Sequence, residues 1–159
     1  MSITGEGMIS VLFIDDEPAL LEITRLFLER SGEIRVETCR SALEALEILK
    51  TRSFDAIISD YEMPMMDGIV LLKILRAEGD NTPFIIFTGK GREHVVVDAL
   101  NNRADFYLSK GQDPKAQFAE LDRMIRQAIN RRIAEESLRL ADRRMVDIIN
   151  HLPDATFAT

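Results

Sequence analysis

The chain has 159 residues, 20 basic and 27 acidic, for a formal net charge of −7, which weighs against nucleic-acid binding through its bulk surface. With 46% apolar and 30% charged residues it can bury a core, so disordered and fibrous classes are set aside, and its length holds one ordinary domain with residues to spare. Its single cysteine, Cys39, excludes an internal disulfide framework and the multi-thiol zinc modules, and fits a reducing, cytoplasmic location.

Residues 1–8 lack the basic patch and apolar stretch of a signal peptide and read as a leader. No apolar run approaches the ~20 residues that cross a bilayer, so no membrane insertion is expected. Short apolar runs rich in branched residues recur at 11–14, 34–36, 56–58, 84–87 and 106–108, each followed by a helix-length segment. That is a five-fold βα alternation. The first, third and fourth runs are apolar throughout, as parallel strands covered on both faces must be, and the weaker second and fifth belong nearer the edges. Leu20, Ile23 and Phe27 recur at helical spacing after the first run, and Ser41 with Glu44 forms a capping-box pattern after the second. Asp113 before Pro114 reads as an N-cap with proline at the first helical position. The fold class expected is α/β, a doubly wound five-stranded parallel sheet of order 2-1-3-4-5 with a long C-terminal helix.

From Pro114 no glycine or proline interrupts the chain until Pro153, well beyond an ordinary helix. Leu121, Ile125 and Ala128 form one apolar stripe. Leu138, Ala141, Met145, Ile148 and Leu152 step by 3, 4, 3 and 4 in a second, out of phase with the first, with the break near Arg131 and Arg132. The first stripe is expected to pack on the α/β core and the second to face a partner chain, giving a homodimer through the C-terminal helix; the alternative is one amphipathic helix folded back on its own domain. The domain reading is a leader at 1–8, an α/β domain at 9–127 and a helical linker or coiled coil at 128–150. Residues 151–159 remain.

Asp15, Asp16 and Glu17 directly follow the first apolar run, and Asp60 directly follows the third. In an open parallel sheet, ligands bind outside the carboxyl ends of the strands near the switch in strand order. If the strand order is 2-1-3-4-5, the first and third strands are neighbours and three carboxylates share one cleft. Their mutual repulsion calls for a proton or a cation, and hard oxygen ligands with room for water suit Mg²⁺. Thr88 ends the fourth run and Lys110 follows the fifth, placing a hydroxyl and an ammonium on the same edge. Together these groups suit an incoming phosphoryl group, whose charge is spread over its equatorial oxygens.

The motifs LFIDDEP at 12–18, ISDYEMP at 58–64 with Asp67 and Gly68, Phe87-Thr88 and YLSK at 107–110 resemble those of the receiver domain of two-component response regulators, over residues 8–127. The resemblance implies that Asp60 takes a phosphoryl group from a histidine kinase or phosphotransfer protein. It implies Mg²⁺ bound by Asp16, Asp60 and the backbone carbonyl of Glu62, with Asp15 holding it through water. It makes Lys110 the partner of the phosphoryl oxygens and Thr88 the donor to the transferred group. Tyr107 would move inward in response, switching the face made by the fourth helix, fifth strand and fifth helix; its alternative role is a half-buried strand aromatic. Such a module catalyses only its own phosphorylation and dephosphorylation and turns over no external metabolite.

Gly111 stands where the family usually has a proline after the lysine. Gly89, Lys90 and Gly91 follow Thr88, where a small residue such as alanine commonly comes first. Arg103 stands where glycine is typical, leaving the positive φ there to Arg103 or to Asn102. Glu62 and Lys90 occupy the variable positions flanking the acceptor and are expected to pair across its mouth, slowing hydrolysis; the alternative is an exposed pair of little consequence. The segment from Asp147 onward resembles the entry into a PAS sensor domain, with 151–159 as its start. Among other functions, a phosphohydrolase of the haloacid-dehalogenase type would want Asp-x-Asp after the first strand, and this chain has Asp15-Asp16. A pseudo-receiver serving only dimerisation is the remaining alternative. No helix-turn-helix follows the domain and Arg131, Arg132, Arg143 and Arg144 sit among acids, so direct nucleic-acid binding is not expected.

Overall fold

The computed structural model of the chain describes residues 7–89, 93–111 and 113–151. Five parallel strands, β1 (Ile9–Ile14), β2 (Ile34–Cys39), β3 (Ala56–Ser59), β4 (Phe84–Thr88) and β5 (Phe106–Ser109), pair in the order β2-β1-β3-β4-β5. The helices α1 (Pro18–Glu29), α2 (Ala42–Leu49), α3 (Gly68–Ala77), α4 (Glu93–Asn101) and α5 (Pro114–Asn150) alternate with them. β3 and β4 are buried at every position, while β5, an edge strand, is only half covered. The continuously apolar runs are therefore the interior strands, as the need to cover both faces of a parallel sheet requires.

Side chains alternate across each strand. Leu12, Ile14, Ile57, Phe84 and Ile86 enter one cluster with Ala42 and Ala45 of α2, Leu71, Leu72 and Leu75 of α3, and Val95 and Ala99 of α4. Val11, Phe13, Ile58, Ile85 and Phe87 are fully or almost fully buried outside that cluster. Phe13 and Phe87 meet at 6.2 Å, and α1 meets α5 through Phe27 and Phe118 at 5.2 Å. On α1 the most buried residues are Leu21, Thr24 and Leu28, with Ile23 54% exposed. The stripe of Leu20, Ile23 and Phe27 thus marks the flank of the buried face, one position off its centre, because spacing gives a helix's period and not the direction of its neighbours.

Local signals in the sequence have counterparts in the backbone. Ser41 accepts from the Glu44 N–H at 3.1 Å, and Asp113 accepts from the Lys115 N–H at 3.2 Å, satisfying amides that open α2 and α5. Asp67 caps α3 by accepting from Val70 at 2.8 Å. The turn between α4 and β5 places Arg103, not Asn102, at positive φ, 68°. Its carbonyl accepts from the Arg76 guanidinium at 2.9 Å, and Arg76 also donates to the carbonyls of Asp80 and Thr82 at 2.9 Å each. This arginine, 7% exposed and 3.6 Å from Asp105, joins the end of α3, the start of β4 and the α4–β5 turn.

The chain divides into two compact units after Ile129. Phe118, Leu121, Met124, Ile125, Ala128 and Ile129 of α5 are buried in the first, so the first stripe packs on the α/β core. In the second unit Leu138, Met145 and Ile148 are 66, 59 and 58% exposed. Leu152 and the rest of the PAS-like segment from 152 lie outside the described residues.

Candidate functional site

Each acidic side chain is placed by the ladder that ends beneath it. The Asp15 N–H donates to the Cys39 carbonyl at 3.2 Å and the Asp60 N–H to the Ile14 carbonyl at 2.9 Å, so both residues extend the β2-β1-β3 ladders by one step. Lys110 does the same beyond β5, donating its N–H to the Thr88 carbonyl at 2.7 Å. Strand order converts three separations in sequence into one cluster.

Within it, the carboxylate oxygens of Asp15, Asp16 and Asp60 lie within 4.8 Å of one another. Asp15 is fully buried; one oxygen accepts from the Glu17 N–H at 2.9 Å and the other from Lys110 Nζ at 3.0 Å. Lys110 Nζ is also 3.5 Å from Asp60 Oδ2 and 5.7 Å from the centre of the Phe87 ring. Burial pushes the Asp15 carboxyl above its ordinary range, outweighing the Glu17 N–H and the Lys110 ammonium, which pull it down. Burial pulls Lys110 the other way, but its hydrogen bond to Asp15 and the charges of Asp15, Asp60 and Glu17 prevail and raise it. The ammonium is thus held charged between two carboxylates.

Three carboxylates against one ammonium leave uncompensated negative charge in a mostly buried cluster, and the donors are hard oxygens at metal-sharing separations. This donor set fits a divalent ion such as Mg²⁺. Asp16 is the partly exposed member and opens onto a cleft of about 430 Å³, lined also by Tyr61, Glu62, Met63, Pro64 and Asp67. Glu62 thus shares the cleft with Asp16. At the lip of this loop Met65 has φ 73° and is 92% exposed.

Thr88 is 2% exposed at the end of β4, opposite Ser109 in the register of β5. Tyr107 is half-buried, opposite Ile86, and packs against the core cluster that holds Ile86. Lys90, and with it the pair expected with Glu62, lies outside the described residues. Gly111 donates its N–H to the Gln117 side chain, a tie that proline, lacking a donor, could not make. Sequence reasoning passed over Gln117 and Ser59. The signal available for Ser59 was a hydroxyl in an otherwise apolar strand next to the central aspartate.

Residues 11–126 match the family described as the response regulator receiver domain. The response regulator Rre1 of Synechocystis is 33% identical over 128 residues, which are 79% of this chain and 54% of that protein. GtcR of Aneurinibacillus migulanus is 32% identical over 127 residues, 80% of this chain and 52% of its own. The chain thus spans about half the length of these curated relatives. Among solved structures, the receiver domain of the Francisella response regulator 1452 superposes with a TM-score of 0.70 at 31% identity, covering 77% of this chain and 98% of that one. A CheY-like receiver domain protein from Methanospirillum hungatei gives 0.68 at 26% identity, covering 78% and 98%. The strand order, the carboxylates and lysine gathered at its carboxyl edge, and these matches agree, and the chain belongs to the response regulator receiver domain family.

Proposed function

We propose that this chain is the phosphoacceptor module of a two-component relay, taking a phosphoryl group onto Asp60 from the phosphohistidine of a partner kinase or phosphotransfer protein. The observation that carries the reading is Lys110 Nζ, 3.0 Å from Asp15 and 3.5 Å from Asp60, in a cluster that also holds Asp16. An Asp60 carboxylate oxygen attacks phosphorus, the phosphorus–nitrogen bond of the donor breaks, and an acyl phosphate forms on Asp60 as the imidazole leaves. Lys110 lies where it can pair with the phosphoryl oxygens, and Thr88, at the end of the adjacent strand, supplies a hydroxyl to the transferred group. Asp16, Asp60 and the Glu62 carbonyl would hold Mg²⁺, with Asp15 acting through water, and the ion supplies charge neutralisation for the phosphoryl oxygens. The added charge, roughly −1.5 to −2, biases the face near Tyr107. Hydrolysis by water resets the site, so the module turns over no external substrate.

The second unit is read as a homodimeric coiled coil. Its stripe of Leu138, Met145 and Ile148 is exposed, and helices in proteins draw most of their stability from packing such a face. A cytoplasmic location accords with the free Cys39 and with the finding that no helix among the described residues is long and apolar enough to cross a membrane.

The test is intact-mass spectrometry after incubation with Mg²⁺ and acetyl phosphate, comparing the natural chain with Asp60→Asn. The expected result is one base-labile phosphoryl adduct that needs Mg²⁺ and is absent from the variant. No adduct on the natural chain under conditions where Mg²⁺ binds would refute the reading and return the chain to the pseudo-receiver alternative.

A further inference from the structure

The loop that leaves β3 at Asp60 and enters α3 at Gly68 carries most of the cleft lining, and it is anchored at its root. The Asp60 N–H is tied to the Ile14 carbonyl at 2.9 Å, and the Gly68 N–H closes the loop onto the Tyr61 carbonyl at 2.9 Å. Between these ties sits the Asp60 carbonyl oxygen, which accepts from the Ser59 hydroxyl at 2.9 Å. Ser59 is fully buried. Gly68 has no space for a side chain: a Cβ there would press on the same carbonyl oxygen and stand 3.0 Å from Ser59 Oγ and 3.2 Å from the Asp60 carbonyl carbon. The peptide between Asp60 and Tyr61 is thus held at its carbonyl by a hydroxyl, with the bare Gly68 backbone packed close beside both.

That peptide sets two directions at once. Rotating it turns the Asp60 backbone, and hence its carboxylate, relative to Asp15, Asp16 and Lys110. It also swings the chain toward Glu62, which lines the cleft beside Asp16. Sites that hold an ion or a reacting group need their ligands placed within about 0.5 Å, and side chains locked by neighbouring hydrogen bonds provide this. Ser59 is the side chain seen locking this peptide. Satisfying a buried carbonyl would by itself be a structural task, but this carbonyl belongs to the acceptor residue and borders the cleft loop.

We propose that Ser59 is a positioning residue for Asp60, its hydroxyl and the close-packed Gly68 backbone together fixing the peptide that aims the Asp60 carboxylate and the cleft loop at one point. The proposal rests on the reading of Asp60 as the phosphoryl acceptor. It predicts that Ser59→Ala folds but loses site geometry. Binding of Mg²⁺ alone is followed by tyrosine fluorescence, since Tyr61 lines the cleft and the chain has two tyrosines and no tryptophan. Phosphorylation by acetyl phosphate at saturating Mg²⁺ is followed by mass spectrometry.

For Ser59→Ala the expected results are a dissociation constant for Mg²⁺ raised about fivefold and a phosphorylation rate lowered about tenfold, since small misplacements of reacting groups are amplified in rate. Far-UV circular dichroism stays unchanged. Ser59→Thr, which restores the hydroxyl, recovers both quantities to within about threefold on the same scale. Values for Ser59→Ala within about twofold of the natural chain, or a threonine variant as impaired as the alanine one, would overturn the proposal. If the alanine variant does not fold, Ser59→Cys, with only a weak donor, is held to the same twofold criterion. A natural chain that binds Mg²⁺ but takes no phosphoryl group would refute the acceptor reading, while the Mg²⁺ comparison still decides whether Ser59 positions the site.

Discussion

Removing the Asp60 charge should stabilise the chain in the absence of divalent ions. Asp60 has two like-charged neighbours, Asp15 and Asp16, with carboxylate oxygens within 4.8 Å, and one opposite charge, Lys110 Nζ at 3.5 Å. At an effective dielectric of about 20, each repulsion at that limit is about 3.5 kcal/mol and the attraction about 4.7 kcal/mol. Their balance is a net penalty of about 2 kcal/mol, which Asp60→Asn would relieve while Lys110 kept its 3.0 Å bond to Asp15. For a unit ending near Ile129, about 2 kcal/mol corresponds to a rise in Tm of about 8 °C. Thermal unfolding followed by circular dichroism in EDTA reads it directly. Adding Mg²⁺ should then reverse the order of gains: the natural chain rises further than the variant, which has lost a ligand, because an ion bound to the folded state stabilises by mass action. A Tm for Asp60→Asn equal to or below that of the natural chain in EDTA would show that the three carboxylates do not repel as placed, and the case for a divalent-ion site would fail with it.

Three other outcomes follow from the structure. Arg76→Ala removes the donor to the Arg103, Asp80 and Thr82 carbonyls and should destabilise by about 2 kcal/mol in urea unfolding, the bonds being charge-assisted and only part-buried; a loss under about 0.5 kcal/mol would mean water replaces them. Cys39, 2% exposed, has its thiol pushed up to about 12, first by burial and then by Glu44 and Glu37. Iodoacetamide at pH 8 should therefore leave it unmodified until the chain is unfolded. The sign for stability follows: the protonated thiol's contribution is whole below the unfolded value of 9.0 and is lost as pH rises through about 12. Above pH 9 the natural chain should lose stability more steeply than Cys39→Ala, and equal slopes would contradict it. Ending the chain at Ile129, the last buried residue of α5, should leave the Tm of the α/β unit within about 2 °C, because its buried core residues all precede Asn130, while abolishing self-association in sedimentation.

What could be read without the fold were the properties carried by neighbours in sequence. Runs 56–58 and 84–87 announced interior strands because a strand covered on both faces has no polar alternation to display. Asp15, Asp60, Thr88 and Lys110 announced a site because each ends or directly follows such a run, and ligands of open parallel sheets gather at that edge. Asp113 and Ser41 marked helix starts because capping is a contact over two or three residues.

Other features had no local signature. Leu20, Ile23 and Phe27 have a helical period, yet Leu21, Thr24 and Leu28 are the most buried face, since the direction of burial is set by the elements packed against the helix and not by its period. Arg76 is one arginine among many until the fold brings Arg103 against it. Gly111 read as a lost proline until Gln117 was seen to hold its N–H. Ser59 and Gly68 read as a strand residue and a turn residue, and only the return of the loop packs both against the Asp60 carbonyl. The sequence by itself determined the elements and the chemical groups at their ends, because those follow from short-range pattern. Which groups touch, at what distance and around which peptide was decided by strand order and packing, which join residues remote in sequence.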